Sequence, residues 1–91
     1  MPKPPFATVW NRIVTHSGER FSTKTGKAFT FTVDKNYIHT SRTDYPLSRA
    51  NIESAYKEAP FDGPGIINNT IRGPAYVWAI LHDARIRDND W

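Results

Sequence analysis

The residues best suited to act on another molecule are the cations that surround one alternating segment. Lys24 and Lys27 lie in a turn before Ala28–Val33, Lys35 lies in a turn after it, and Arg20 and Arg42 stand further out on either side. Phe29, Phe31 and Val33 alternate with Thr30 and Thr32, so a strand there turns its phenylalanines to a core and its threonines to water. Ammonium, guanidinium and hydroxyl groups then share one wet surface. Such a surface contacts phosphates, and a narrow antiparallel ribbon fits a major groove. The expectation is a nucleic-acid-binding face made by Lys24, Lys27 and Lys35, supported by Arg20 and Arg42.

Two other uses of the same residues compete with it. A register shifted by one would expose Phe29 and Phe31 for stacking on single-stranded bases, but it would leave the helices only threonines to pack on. Lysines on a small sheet also serve solubility and edge protection. No RNP-type aromatic motif, GXXG loop or helix-turn-helix spacing accompanies the basic segment.

The remaining chemistry is sparse. Thr23-Lys24-Thr25-Gly26-Lys27 suggests a phosphate loop, but Phe21 stands where the Walker pattern needs its first glycine and Ala28 where it needs a hydroxyl. His16, His39 and His82 are scattered over separate elements, so no HxH or HExxH spacing fixes a metal. His82 and Asp83, with Asp88 and Asp90, would form an oxygen-rich site only if the tail folded back. His16-Ser17 reads as a helix end and Ser48 as a cap, and Glu53 and Glu58 are five apart and share no close face. No catalytic residue, metal site or cofactor is assigned, and a small enzyme or toxin-like effector ranks third.

Aromatic residues support the second-ranked reading. Three Trp and four Tyr in 91 residues include Trp10, Tyr56, Tyr76 and Trp78 on helices with broad apolar faces. Exposed, they would form an interface for a protein partner or a second copy of the chain; buried, they would supply the core of a small domain.

Composition bounds these readings. The net charge of +3 comes from 12 Lys/Arg against 9 Asp/Glu, but eight of the cations and only three of the acids fall in residues 1–49. The first part of the chain is therefore at +5 and the rest at −2, an asymmetry suited to an anionic partner. With no cysteine, disulfides and thiolate chemistry are excluded and cytoplasmic residence is expected. The chain shows no signal-like apolar run near Met1 and no stretch long enough to span a bilayer, so no membrane partner is expected. Asn68-Asn69-Thr70 matches a glycosylation triplet by chance.

The elements that must position these groups follow from periodicity. After an extended lead over residues 1–5, Phe6, Val9, Trp10, Ile13 and Val14 keep the spacing of a helix from Phe6 to His16, although its β-branched residues also suit an edge strand. Gly18 would stop that helix in a left-handed conformation. A three-stranded antiparallel meander is expected at Arg20–Thr23, Ala28–Val33 and Tyr37–Thr40, with Gly26 able to take positive φ in the first turn and Asn36 a residue that tolerates left-handed φ in the second. Ser48 caps the next helix, Leu47 and Ile52 form a hydrophobic staple, and Pro60 stops the chain beyond Glu58. A short helical turn falls near Ile66–Ile71. The last helix runs from Gly73 to Ile86, with Gly73 at the N-cap, Pro74 at the first position, and Val77, Ile80, Leu81 and Ala84 on its buried stripe. Residues 87–91 form a frayed tail unless Trp91 docks back. The result is a single α+β domain over residues 1–91, of order α-β-β-β-α-(α)-α, in which helices cover one face of the meander and leave the other wet.

Overall fold

The computed structural model describes residues 3–91, so Met1 and Pro2 of the extended lead lie outside the described residues. The chain runs α1 (Phe6–Thr15), β1 (Arg20–Ser22), β2 (Ala28–Asp34), β3 (Tyr37–Thr40), β4 (Leu47–Ser48), α2 (Arg49–Tyr56), a 3₁₀ turn (Pro64–Ile67), α3 (Pro74–His82) and α4 (Ala84–Arg87). The fold is α+β. Its sheet is an antiparallel meander of order β1-β2-β3-β4, with Phe21 opposite Phe29, Val33 opposite Ile38 and Ile38 opposite Leu47.

The fourth strand is the departure from the expected meander. Leu47 reads as one half of a staple because a two-residue strand is too short to show a period. Its side chain points inward with Ile38 while its backbone pairs with β3. Ser48 then leaves the sheet and caps α2, its hydroxyl accepting from Asn51 N–H at 3.1 Å. Strand and helix thus meet without a connecting loop.

Alternation along the strands decides which side chains are wet. Phe21, Phe29, Phe31, Ile38 and Leu47 point into one continuous core with Val9, Ile13, Ile52, Val77, Ile80, Leu81 and Ile86 from the helices. Each such side chain removed from water stabilises the fold by about 1.5–3 kcal/mol. Inward-facing Thr40 is satisfied by the Thr43 hydroxyl at 2.9 Å. Gly18, at φ +89°, ends the α1 connection and donates its N–H to the Phe31 carbonyl at 2.7 Å, which ties the helix to β2.

Three local expectations need correction. In the β2–β3 turn the left-handed conformation falls on Lys35, at φ +57°, and not on the Asn36 that tolerates it; a two-residue turn with only its first position at positive φ suits the twist of the strands. Helix α2 ends at Tyr56 rather than Glu58, and the chain continues in i→i+3 turns, Glu58 N–H donating to the Ala55 carbonyl and Ala59 N–H to that of Tyr56 at 3.0 Å each. The Lys3 ammonium donates to the Tyr56 and Ala59 carbonyls at 2.6 and 2.7 Å, a cationic cap at the negative end of the helix. The last helix is two helices. Asp83 turns extended (φ −70°, ψ 138°) and caps α4 by accepting from Arg85 N–H at 2.9 Å, since aspartate favours an N-cap over a helix interior.

The tail follows the docked alternative. Trp91 donates its indole N–H to the Leu81 carbonyl at 2.9 Å and sets its ring edge-on to Tyr56, 5.0 Å between centroids. Arg12 adds a second tie, donating to the Ile86 carbonyl at 3.0 Å and pairing with Asp90.

Candidate nucleic-acid interface

The eight cations of residues 1–49 separate into two groups. Lys3 and Arg12 cap helix ends as described. Lys24 reaches across to the loop after α2, where its ammonium donates to the Asp62 carbonyl and lies 5.8 Å from the Trp78 ring centroid. Arg49 lies over the rings of Trp10 and Phe6, at 5.5 and 5.8 Å. Arg20, Lys27, Lys35 and Arg42 are exposed, and among the described residues none of the four is in an ion pair. All four stand on the strands and turns of the sheet or just beyond β3.

Of the five cations proposed from the sequence, the structure brings two together. Arg20 projects from β1 beside Thr30 of β2. Arg42 follows β3 and donates its Nε–H to the Ala28 carbonyl at 3.1 Å. With Thr30 and Ser41 these arginines line an open depression of about 390 Å³ that has no carboxylate in its wall. The Ser41 hydroxyl oxygen accepts from Thr30 N–H at 3.0 Å, which leaves its own proton available to a ligand. Lys27 stands next to Ala28 at the same end of the sheet. Lys35 is at the opposite end, about 20 Å away along β2 at the usual rise per residue. Lys24 is drawn off the face altogether; a lysine's reach of four methylenes is invisible to an argument from strand alternation.

Of the acids near this end Glu19 is already committed, while exposed Asp44, two residues beyond Arg42, does not line the depression. Glu19, beside Arg20, pairs with Arg85 at 3.0 Å and with His16 at 2.8 Å. Those bonds, that to His16 foremost, hold its carboxyl below the usual range. Arg85 in turn binds Asp83 at 2.8 Å, donates to the Arg20 carbonyl at 2.8 Å and lies 3.8 Å from the centroid of Phe21. The outer carbonyl of edge strand β1 is thereby occupied and the Arg20 side chain left to solvent.

The aromatics named for an interface have other surroundings. Trp10 and Tyr56 are buried. Tyr76 is half-buried and meets Phe29 edge-on at 5.2 Å. Trp78 is half-buried, stacks on His82 at 5.0 Å and donates its indole N–H to the Phe61 carbonyl at 3.0 Å. His82 serves this cluster as a neutral ring: Nδ1 donates to the Trp78 carbonyl at 3.0 Å and Nε2 accepts from Phe61 N–H at 3.2 Å. With Asp83 bound to Arg85 and Asp90 to Arg12, the oxygen-rich site entertained at the C-terminus is taken apart by separate partners.

Sequence reasoning missed a second part of the wet face. Tyr37 and His39 of β3, and Ser41 just beyond it, are exposed in alternation and continue from the Arg20–Arg42 depression. Tyr37 is 48% exposed. Arg72 stands beyond it, its guanidinium 4.2 Å from the Tyr45 centroid. Tyr37 is outward by the same alternation that places Phe29 and Phe31 inward, so the signal was present in the strand parity. Comparison with family models, with curated proteins and with solved structures found no match.

Proposed function

We propose that this protein binds nucleic acid through the polar face of its sheet, with Arg20 and Arg42 as the central phosphate contacts and Lys27 and Lys35 as outlying ones. The observation that carries the reading is the division among the cations. Among the cations of residues 1–49, Arg20, Lys27, Lys35 and Arg42 are exposed on the sheet and its turns without an ion pair among the described residues, and Arg20 and Arg42, the latter held by the Ala28 carbonyl, flank a hydroxyl-lined depression without a carboxylate. A phosphate oxygen there meets two guanidinium groups and the Ser41 and Thr30 hydroxyls, which is charge-assisted hydrogen bonding of the strong kind. Lys24, whose ammonium donates to the Asp62 carbonyl across from the sheet, stands apart from this set.

The protein-interface reading has less support, because the four aromatics behind it are packed or half-packed within the fold. Among the described residues no helix is long and apolar enough to cross a membrane. Fluorescence anisotropy with labelled single- and double-stranded oligonucleotides tests the proposal: binding at low salt that weakens steeply as salt rises is expected. Absence of binding at low salt overturns it.

A further inference from the structure

Resting on the nucleic-acid reading above, we infer that Tyr37 is the stacking platform for an unpaired base and that Arg72 holds the adjoining phosphate, so the ligand is a single strand laid along β3. Tyr37 stands at a position where its backbone pairs on both sides, with Asp34 of β2 and Ser48 of β4. The ring is therefore presented to water from the interior of a sheet rather than from a mobile loop. Nearly half exposed, it offers the planar apolar surface on which bases of any sequence stack.

The depressions on the two sides of Tyr37 differ in charge. One, of about 290 Å³, is lined by Asn36, Ser48, Arg49, Ala50 and Glu53 along with the tyrosine. Its arginine lies over Trp10 and Phe6, and its carboxylate repels a phosphate. The other, of about 230 Å³, is lined by Tyr37, Pro46, Ser48, Asn51 and Arg72 and contains no carboxylate. The Arg72 guanidinium lies over the Tyr45 ring, which fixes its plane while leaving its N–H edges for an acceptor. Charge therefore selects the Arg72 side for the backbone of the strand.

The spacing fits one continuous ligand. From Tyr37 to Ser41 the strand rises about 13 Å, with exposed His39 and Thr32 between the two ends. A single strand running from the Arg20–Arg42 depression to the Tyr37–Arg72 depression meets cations at both ends and an aromatic ring at one. A duplex keeps its bases paired and cannot use the ring. Asp34, opposite Tyr37 on β2, turns the path at the tyrosine end toward the β4 side, where Arg72 stands.

Anisotropy titrations with a labelled single-stranded DNA oligomer and with a duplex of the same sequence, on wild type, Tyr37→Ala, Tyr37→Phe and Arg72→Ala, decide the matter. Circular dichroism confirms that each variant is folded. For the single strand the expected results are a loss of about tenfold with Tyr37→Ala, retention with Tyr37→Phe and a loss with Arg72→Ala; for the duplex, Tyr37→Ala changes nothing. Equal single-strand affinity for wild type and Tyr37→Ala overturns the stacking site while leaving the phosphate-binding face intact, as does an equal loss for both ligands. Wild type that binds neither ligand at low salt overturns both readings.

Discussion

Asn51 and Arg72 are joined by two hydrogen bonds of opposite sense. The Asn51 side-chain amide donates to the Arg72 carbonyl at 2.9 Å, and its oxygen accepts from Arg72 N–H at 3.0 Å. The first turn of α2 thus holds the segment before α3 as another strand would, and the same segment carries the guanidinium beside Tyr37. Asn51→Ala removes both bonds and leaves two backbone groups to find water. A loss of about 1–2 kcal/mol in urea denaturation is expected, together with weaker binding of single strands although no cation has been removed. Unchanged stability and unchanged affinity would show that the clasp positions nothing.

Gly73 makes a second demand on this segment. It sits at φ +61°, and a Cβ added there would lie 2.8 Å from Cδ2 of Leu47, a side chain fully buried between sheet and helices. Gly73→Ala therefore combines a disfavoured backbone with a clash that has nowhere to relax. Destabilisation of about 1–3 kcal/mol is expected from the shift in the urea midpoint; an unaltered midpoint contradicts the close approach of α3 to β4.

His82 predicts the pH dependence. Burial, aided by the positive charge of Arg87, lowers its pKa below the ordinary value, against the opposing effect of its bond to the Trp78 carbonyl. The folded state accordingly takes up a proton less readily than the unfolded chain, whose histidines titrate near 6.5. The stability that depends on neutral His82 is complete above that pH and is lost as pH falls through the lowered folded value. Protonated Nε2 would also face Phe61 N–H donor to donor. A thermal midpoint that falls between pH 7.5 and 5.5 in wild type, and falls less in His82→Gln, is expected; equal falls in both would remove His82 as the cause. Asp83, where burial is outweighed by its bonds to Arg85 so that its pKa is lowered, and Glu19 add a further loss at more acid pH, beginning as pH falls through the range of unfolded carboxylates and complete below their lowered folded values.

Much of the fold was legible because local chemistry agrees with the tertiary arrangement. Phe29 and Phe31 alternate with threonines and face the core; Ser48 has the residue type of a cap and caps; Pro74 follows a glycine and opens α3. The break at Asp83 was hidden because Ala84 and Ile86 continue an apolar pattern across it, while the aspartate's preference for capping acts on the backbone alone. The candidate site was legible only in part. Strand parity placed Arg20 and Thr30 on the wet face, but Lys24 is taken away by a carbonyl 38 residues on, a long-range event with no periodic signature. Tyr37 was overlooked because an aromatic residue in a strand reads first as core.

The central claim is that phosphate is held by Arg20 and Arg42, and the salt dependence of binding measures that directly. Wild type, the Arg20→Ala/Arg42→Ala double variant and Lys57→Ala, whose exposed lysine lies away from the sheet at the C-terminal end of α2, are titrated with one single-stranded oligomer over a series of salt concentrations. The log–log slope is expected to become shallower by about 0.7 in the double variant, which leaves the one phosphate of that depression unneutralised, and to stay at the wild-type value in Lys57→Ala. A common slope for all three proteins would contradict the account.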